Sequence, residues 1–278
     1  HRLGLAGDHK APGERRGRVA LLTGCAQQVI APHINESTVR LLNRLGVDVV
    51  IRQEAECCGG LNHHMGFEKD ALEHARRTIG AWHEEIERDG LDAILVNTSG
   101  CGTTVKDYAH MFAQAEEPWR SRAAAVAAKA MDITEFLSRT NYAPTREAPD
   151  LVVAYHAACS LQHGQKITLE PKDLLRKAGF TIVEPAESHL CCGSAGTYNL
   201  LQPEIAGQLR DRKLKNLKAR KPDLVAAGNI GCITQLSGAD LPILHTVELL
   251  DWMAGGPEPA AVTAITAKKL QEQAQTAA

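Results

Sequence analysis

Short, mostly apolar runs alternate along this chain with longer stretches whose apolar side chains recur every three or four positions. Val19-Ala20-Leu21-Leu22, Val47-Asp48-Val49-Val50-Ile51 and Ala93-Ile94-Leu95-Val96 read as buried strands. Between the first two, residues 35–45 read as a helix. Asn35 can cap it, Val39, Leu42 and Leu45 keep helical spacing, and Gly46 ends it. A second helix carries Leu72, Ala75, Ile79, Trp82 and Ile86 on one face and closes at Gly90. A further helix is expected just after Cys101. Residues 121–139 read as one Ala-rich helical stretch.

The same order then returns. Leu151 to Tyr155, Phe180 to Val183 and Asp223 to Ala227 read as strands. Leu174, Leu175 and Ala178 precede Gly179 as Leu41, Leu42 and Leu45 precede Gly46, and a helix spans about 203–219. Cysteines mark the repeat: Cys25, Cys57 and Cys58 recur 134 residues later as Cys159, Cys191 and Cys192, and Cys101 recurs 131 later as Cys232. This is an internal duplication. Strand–helix alternation predicts an α/β fold of two duplicated Rossmann-like halves, each a mainly parallel sheet flanked by helices. The expected organisation is a linker over 1–16, a first unit over 17–145, a second over 146–254 and a flexible tail over 255–278, with the Pro144 region joining the halves.

Composition narrows the function. The net charge is −2 and pI about 6.7, so no global bias towards nucleic acid exists. No apolar run approaches the ~18 residues of a membrane span, and no signal-peptide pattern opens the chain. Neither a Gly-x-Gly-x-x-Gly nor a P-loop pattern is present, so no nucleotide site is expected. No Ser–His–Asp arrangement can be defended, and no catalytic residue is assigned. Arg210, Arg212, Lys213, Lys215, Lys218, Arg220 and Lys221 form a basic helix face, which reads as solvated surface more readily than as a docking site.

The chemistry lies in the cysteines. Cys57-Cys58-Gly59 and Cys191-Cys192-Gly193 each follow a lone cysteine after 31 intervening residues and precede another, and all eight cysteines fall into two such sets. Four disulfides are disfavoured. Neighbouring cysteines make a strained ring, and a domain of this size needs no staples. Every cysteine follows a predicted strand, and ligands of parallel α/β sheets gather at the carboxyl ends of strands. Each set should therefore converge at one sheet edge and bind metal through thiolates. Four thiolates suit tetrahedral zinc or an iron–sulfur cluster. Neither zinc-knuckle nor ferredoxin spacing is present.

The repeated Cys-x₃₁-Cys-Cys-Gly unit resembles the cysteine-rich CCG domain, found in the B subunit of heterodisulfide reductase and in iron–sulfur subunits of flavin-linked dehydrogenases. Local motifs sharpen the resemblance: Leu22-Thr23-Gly24-Cys25-Ala26-Gln27, Ser99-Gly100-Cys101-Gly102, Leu161-Gln162-His163-Gly164-Gln165, residues 189–198 and Asn229-Ile230-Gly231-Cys232. Over residues 17–253 they are similar to the iron–sulfur subunits of glycolate oxidase. The resemblance implies an electron-transfer role. Iron–sulfur clusters of the [4Fe–4S] type would be held by Cys25, Cys57, Cys58, Cys101, Cys159, Cys191, Cys192 and Cys232, with zinc an alternative in one half and no flavin on this chain. Implied partners are FAD-containing dehydrogenase subunits, a preceding ferredoxin-like part, and a quinone or other acceptor. Nucleic acid is not among them. Lactate, glycerol 3-phosphate or heterodisulfide complexes and a structural zinc scaffold are the rival readings. The implied location is cytoplasmic, with peripheral attachment to the inner membrane face an option.

The fullest CCG motif ends in Cys-x₂-Cys. Here Thr98 and Asn229 occupy the first of those positions, leaving four thiolates per half. Several polar residues flank the second set: His156, Ser160, His163, Gln165, His189, Ser194, Thr197 and Tyr198. The histidines read as ligands, as donors to sulfur or, more readily than as ligands, as hydrogen-bonded loop residues; the other five read as potential donors to sulfur. The second centre is therefore expected to be the more firmly bound. His63 and His64 read as solvent-facing or packed, and Gln27 and Gln165 as orienting loops.

Overall fold

The computed structural model describes residues 5–238 and 240–276. Two sheets form, one from each half. The first contains β1 (Gly7–His9), β2 (Gly17–Leu22), β3 (Val47–Ile51), β4 (Ala93–Val96) and β5 (Ala130–Asp132) in the order β1-β3-β2-β4-β5. The second contains β6 (Val152–His156), β7 (Thr181–Val183), β8 (Leu224–Ala227) and β9 (Ile243–His245) in the order β7-β6-β8-β9. All pairings are parallel except that of β1 with β3. The order β3-β2-β4-β5 matches β7-β6-β8-β9, as a duplication requires.

Helices fill the crossovers. In the first half these are α1 (Gln27–Ile30), α2 (Pro32–Arg44), α3 (Gly60–His64), α4 (Glu68–Asp89), α5 (Ser99–Lys106), α6 (Tyr108–Met111), α7 (Trp119–Lys129) and α8 (Ile133–Ser138). The second half has one π-helical turn (Ser160–Gly164), then α9 (Glu170–Lys177), α10 (Tyr198–Leu201), α11 (Pro203–Lys218), α12 (Ile230–Leu236), α13 (Thr246–Met253) and α14 (Ala260–Thr276). Among the described residues no helix is long and apolar enough to cross a membrane.

Four details differ from the sequence reading. The expected linker contributes β1, an edge strand whose Ala11 N–H beyond it donates to Asp48 Oδ1 at 2.8 Å. The expected single helical stretch over 121–139 is a helix, a short strand and another helix. Asn35 does not cap α2, which starts at Pro32. It is instead buried inside that helix. The expected tail is helical over α14. Val262 there is fully buried, and Lys269 Nζ bonds Asp223 Oδ2 at 2.8 Å and the Asp150 carbonyl at 3.0 Å.

The halves share part of their core. A single apolar cluster takes Leu21, Leu41 and Leu42 from the first and Val153, Tyr155 and Leu249 from the second. Helix α2 packs on α13, and α8 on α9. Asp251, 1% exposed, accepts from Arg40 Nε at 3.0 Å and also pairs with Arg44. The connection between the halves is pinned as well: Tyr142 donates to the Leu250 carbonyl at 3.2 Å, and the Thr145 N–H to the Met253 carbonyl at 2.8 Å. This interlock turns the carboxyl ends of both sheets towards each other.

The outermost parallel strand of each half ends in a buried helix cap. Asp132 caps α8, accepting from the Thr134 N–H at 2.8 Å. His245 caps α13, accepting from the Val247 N–H through Nδ1 at 3.0 Å and donating through Nε2 to the Asn97 carbonyl at 2.7 Å. Burial pushes the Asp132 carboxyl up to about 6, against the hydrogen bonds from Thr134. The native state thus holds this proton more tightly than the unfolded chain. Its stabilising contribution is complete below pH ~4 and is lost as pH rises through about 6, a change of roughly 3 kcal/mol at most. Asp132→Asn keeps the cap acceptor and removes the titration. The variant's advantage in melting temperature over the parent should grow from pH 5 to pH 7.5. An advantage independent of pH would show that Asp132 does not titrate in this window.

Candidate metal centre

Each cysteine sits where a strand gives way to a turn or helix. Cys25 follows β2 and the left-handed Gly24, at φ 74°. Cys57 and Cys58 lie in the loop from β3 to α3, and Cys101 lies in the first turn of α5. In the second half Cys159 precedes the π-helical turn, Cys191 and Cys192 lie between β7 and α10, and Cys232 lies in the first turn of α12. The loops are anchored from below. Thr78 donates to the Cys57 carbonyl at 2.8 Å, and Tyr108 to the Cys58 carbonyl at 2.9 Å.

All eight thiols are free, and all eight line one cavity of about 450 Å³ between the halves. The sequence reading placed each set at its own sheet edge. The two edges in fact face a common space. Within each set the sulfurs are close enough to govern one another's protonation. A hydrogen bond from the Cys57 thiol pulls Cys25 down to about 6 and pushes Cys57 up. Cys101 likewise donates to Cys58, lowering Cys58 and raising itself. In the second set the Cys159 and Cys192 thiols lower Cys191, and Cys192 lowers Cys232 to about 5. Cys159 and Cys192 are raised in turn. Backbone N–H groups add to this: Gly59 to Cys57 Sγ at 3.4 Å, Gly60 to Cys58 Sγ at 3.3 Å and Gly193 to Cys191 Sγ at 3.3 Å.

A polar seam closes the cavity between the halves. Ser99 is its centre. Its N–H donates to the Gly228 carbonyl at 3.1 Å, its hydroxyl meets the Ser160 hydroxyl at 2.7 Å, and it accepts from Asn229 Nδ2 at 2.9 Å. Gln165 Nε2 reaches the Ser99 carbonyl at 2.9 Å. Beneath Cys25, the buried Gln27 amide donates to Asn35 Oδ1 at 2.8 Å and Asn97 Oδ1 at 2.6 Å, and Thr98 donates back to Gln27. Gln27 and Gln165 therefore orient loops, as their positions suggested. Asn97 was missed, because nothing in the local pattern separates it from a turn residue.

One expected donor, His163, is occupied elsewhere. His163 Nε2 bonds the His189 carbonyl at 3.0 Å near the surface. Backbone hydrogen bonding from Ser160 and Ser194, rather than their hydroxyls, favours the Cys159 and Cys192 thiolates. His63 pairs with Glu68 at 2.8 Å, while His64 lines the cavity. Lys213, on the supposed basic face, is buried and donates to the Glu187 carbonyl at 3.0 Å.

The family model of the cysteine-rich domain matches this chain twice, over residues 19–106 and 153–237. The chain belongs to the cysteine-rich domain family. It is 39% identical over 243 residues to the glycolate oxidase iron-sulfur subunit of Escherichia coli, covering 87% of this chain and 59% of the relative. It is 34% identical to the probable glycolate oxidase iron-sulfur subunit of Bacillus subtilis, covering 81% and 50%. The chain thus spans between half and three-fifths of the length of these relatives. Lactate utilization protein A of an Exiguobacterium species is 27% identical, covering 84% of this chain and 96% of the relative. A hypothetical protein from Helicobacter pylori of known structure shares the fold, with TM-score 0.63 at 11% identity over 93% of this chain and 53% of that one.

The glycine that follows each cysteine pair in this cysteine-rich domain has a packing role beyond its N–H. Gly59 and Gly193 are left-handed, at φ 81° and 94°. A Cβ on Gly59 would sit 2.6 Å from the Ala71 carbonyl oxygen, and one on Gly193 would collide with that of Ala206. Helices α4 and α11 press their backbones against the cysteine loops at these points. Gly59→Ala and Gly193→Ala should each cost roughly 2–4 kcal/mol, from backbone strain plus overpacking. Gly66→Ala, at φ 82° with nothing within 4 Å, isolates the backbone share. Equal losses of thermal stability in all three variants would remove the packing explanation.

Proposed function

We propose that this chain is the electron-transfer part of an iron–sulfur subunit serving a flavin-linked 2-hydroxy-acid dehydrogenase, with glycolate as the first substrate. The observation that carries the reading is the convergence of two cysteine sets on one cavity. The donor set fits the group. Four soft sulfur ligands per half suit a [4Fe–4S] cluster, one thiolate to each iron. Cys25, Cys57, Cys58 and Cys101 hold one centre; Cys159, Cys191, Cys192 and Cys232 hold the other. A bound cluster supplies one-electron chemistry. The protein sets its potential through burial and N–H donors to sulfur, and Gly59, Gly60 and Gly193 already point theirs at thiols.

In this reading a partner subunit carrying FAD oxidises the substrate, and this chain relays electrons towards a quinone. The glycolate oxidase subunits among its relatives support that assignment. Lactate is the second reading, supported by the relative whose length is almost fully spanned. A zinc scaffold is the rival from another class.

Anaerobic purification followed by iron, sulfide and zinc analysis decides between them. Brown protein with iron and acid-labile sulfide is the expected result, and colourless protein with stoichiometric zinc in both halves defeats it. Cys58→Ser and Cys192→Ser should each lower bound iron and alter the electron paramagnetic resonance signal of the reduced protein. The chain alone should reduce no dye with glycolate. Iron content unchanged in both variants would show that the pairs are not ligands.

A further inference from the structure

The two halves differ at one buried position facing the cysteines. Residue 22 ends β2 three positions before Cys25, and residue 156 ends β6 three positions before Cys159. The duplication makes them equivalents. In the first half the residue is Leu22, 1% exposed and packed in the cluster that contains Cys58. In the second it is His156, also 1% exposed. It shares its face of β6 with Ala154, which lies in the cluster holding Cys192 and Cys232.

Leu22 shows that this position asks for no polar group to complete the fold. His156 nonetheless buries two polar nitrogens, and neither Nδ1 nor Nε2 has a hydrogen-bond partner among the described residues. Leaving such a group unpartnered is destabilising. The ring sits where a partner would be. One of its nitrogens and the sulfurs of Cys192 and Cys232 all lie within 4.8 Å of one another, and all three residues are buried. Imidazole nitrogen and thiolate sulfur together form a donor set for zinc or iron.

We infer that His156 is a metal ligand of the second-half centre, acting with Cys192 and Cys232, so that the two centres of the molecule are chemically unlike. The first half binds through sulfur alone, and the second through sulfur and one nitrogen. The inference rests on the reading of the cysteines as metal ligands. It adds to the expectation that neighbouring polar groups distinguish the second centre, of which Ser160 and Gln165 are committed to the seam and His163 to a loop carbonyl.

The test uses the intact chain purified anaerobically, its metal content, and pulsed electron paramagnetic resonance of the reduced form. X-ray absorption replaces the resonance measurement if the second-half metal is zinc. The parent protein should show coupling to, or scattering from, one imidazole nitrogen. His156→Leu, which installs the first-half residue, should lose that nitrogen signature and about half of the bound metal. His156→Gln, which can still donate to sulfur, should lose the signature equally. The signature does not depend on activity, and its presence in the parent needs no variant to fold. Metal bound without a nitrogen signature in the parent, or a signature that survives in His156→Leu, overturns the ligand assignment and leaves the cysteine reading intact. Metal content insensitive to Cys58→Ser, Cys192→Ser and His156→Leu alike overturns the cysteine reading, and the assignment with it.

Discussion

Four sulfurs crowded into one corner of a fold cannot all be charged without a cation between them. In each half some thiols are held low by hydrogen bonds from neighbours that are pushed correspondingly high. The alternation follows from the close approach of the sulfurs more than from any single environment. A multiply charged cationic centre would replace the shared protons and let all four thiolates form at once. The remaining structure brings these sulfurs near one another and keeps them there.

That positioning is tertiary. Parallel strands deliver each cysteine to a carboxyl edge, which is a property of either half alone. The facing of the two edges comes from α13 packing on α2, α9 on α8, and the Arg40–Arg44–Asp251 cluster. The Ser99 seam then locks them at the cavity itself. Each half keeps an apolar cluster of its own beside the cysteines, and a third cluster shared by both halves joins the repeats.

The strands were legible wherever apolar runs were long enough. Val47–Ile51 and Ala93–Val96 coincide with the sequence reading: the second is buried throughout and reads as an uninterrupted apolar run, and the first is broken only by the half-buried Asp48. The edge strands β1, β5 and β9 escaped it. Each has three residues, too few for a period to show, and β1 has no apolar residue at all. The tail was misread for a related reason: its Ala- and Gln-rich composition conceals a buried anchor, Val262. Both cysteine sets were legible from their repeat, but the common cavity was not, since helix–helix contacts between repeats leave no periodic trace. His156 lay between these cases. It was visible as a nearby polar residue, and only alignment of the repeats against Leu22 exposes it as a substitution within a conserved frame of the fold.

The four-sulfur count per half is tied to the same seam. Asn229 stands where a fuller motif would place a fifth thiolate. Its Oδ1 accepts from the N–H groups of Gly231 at 2.8 Å and Cys232 at 3.3 Å, capping α12, while its Nδ2 donates to Ser99 across the halves. A cysteine there would supply no comparable cap and no donor to the seam. Thr98, its counterpart, holds Gln27 beneath Cys25. The two positions have thus exchanged metal-binding potential for hydrogen bonds that fix loops and join halves. In the first half nothing on the strand replaces the missing donor, because Leu22 is apolar. In the second, His156 approaches the cysteines from β6, a different direction from the Asn229 loop. A fifth donor and the polar seam can coexist only in that arrangement, because the strand end does not compete with the helix cap for space.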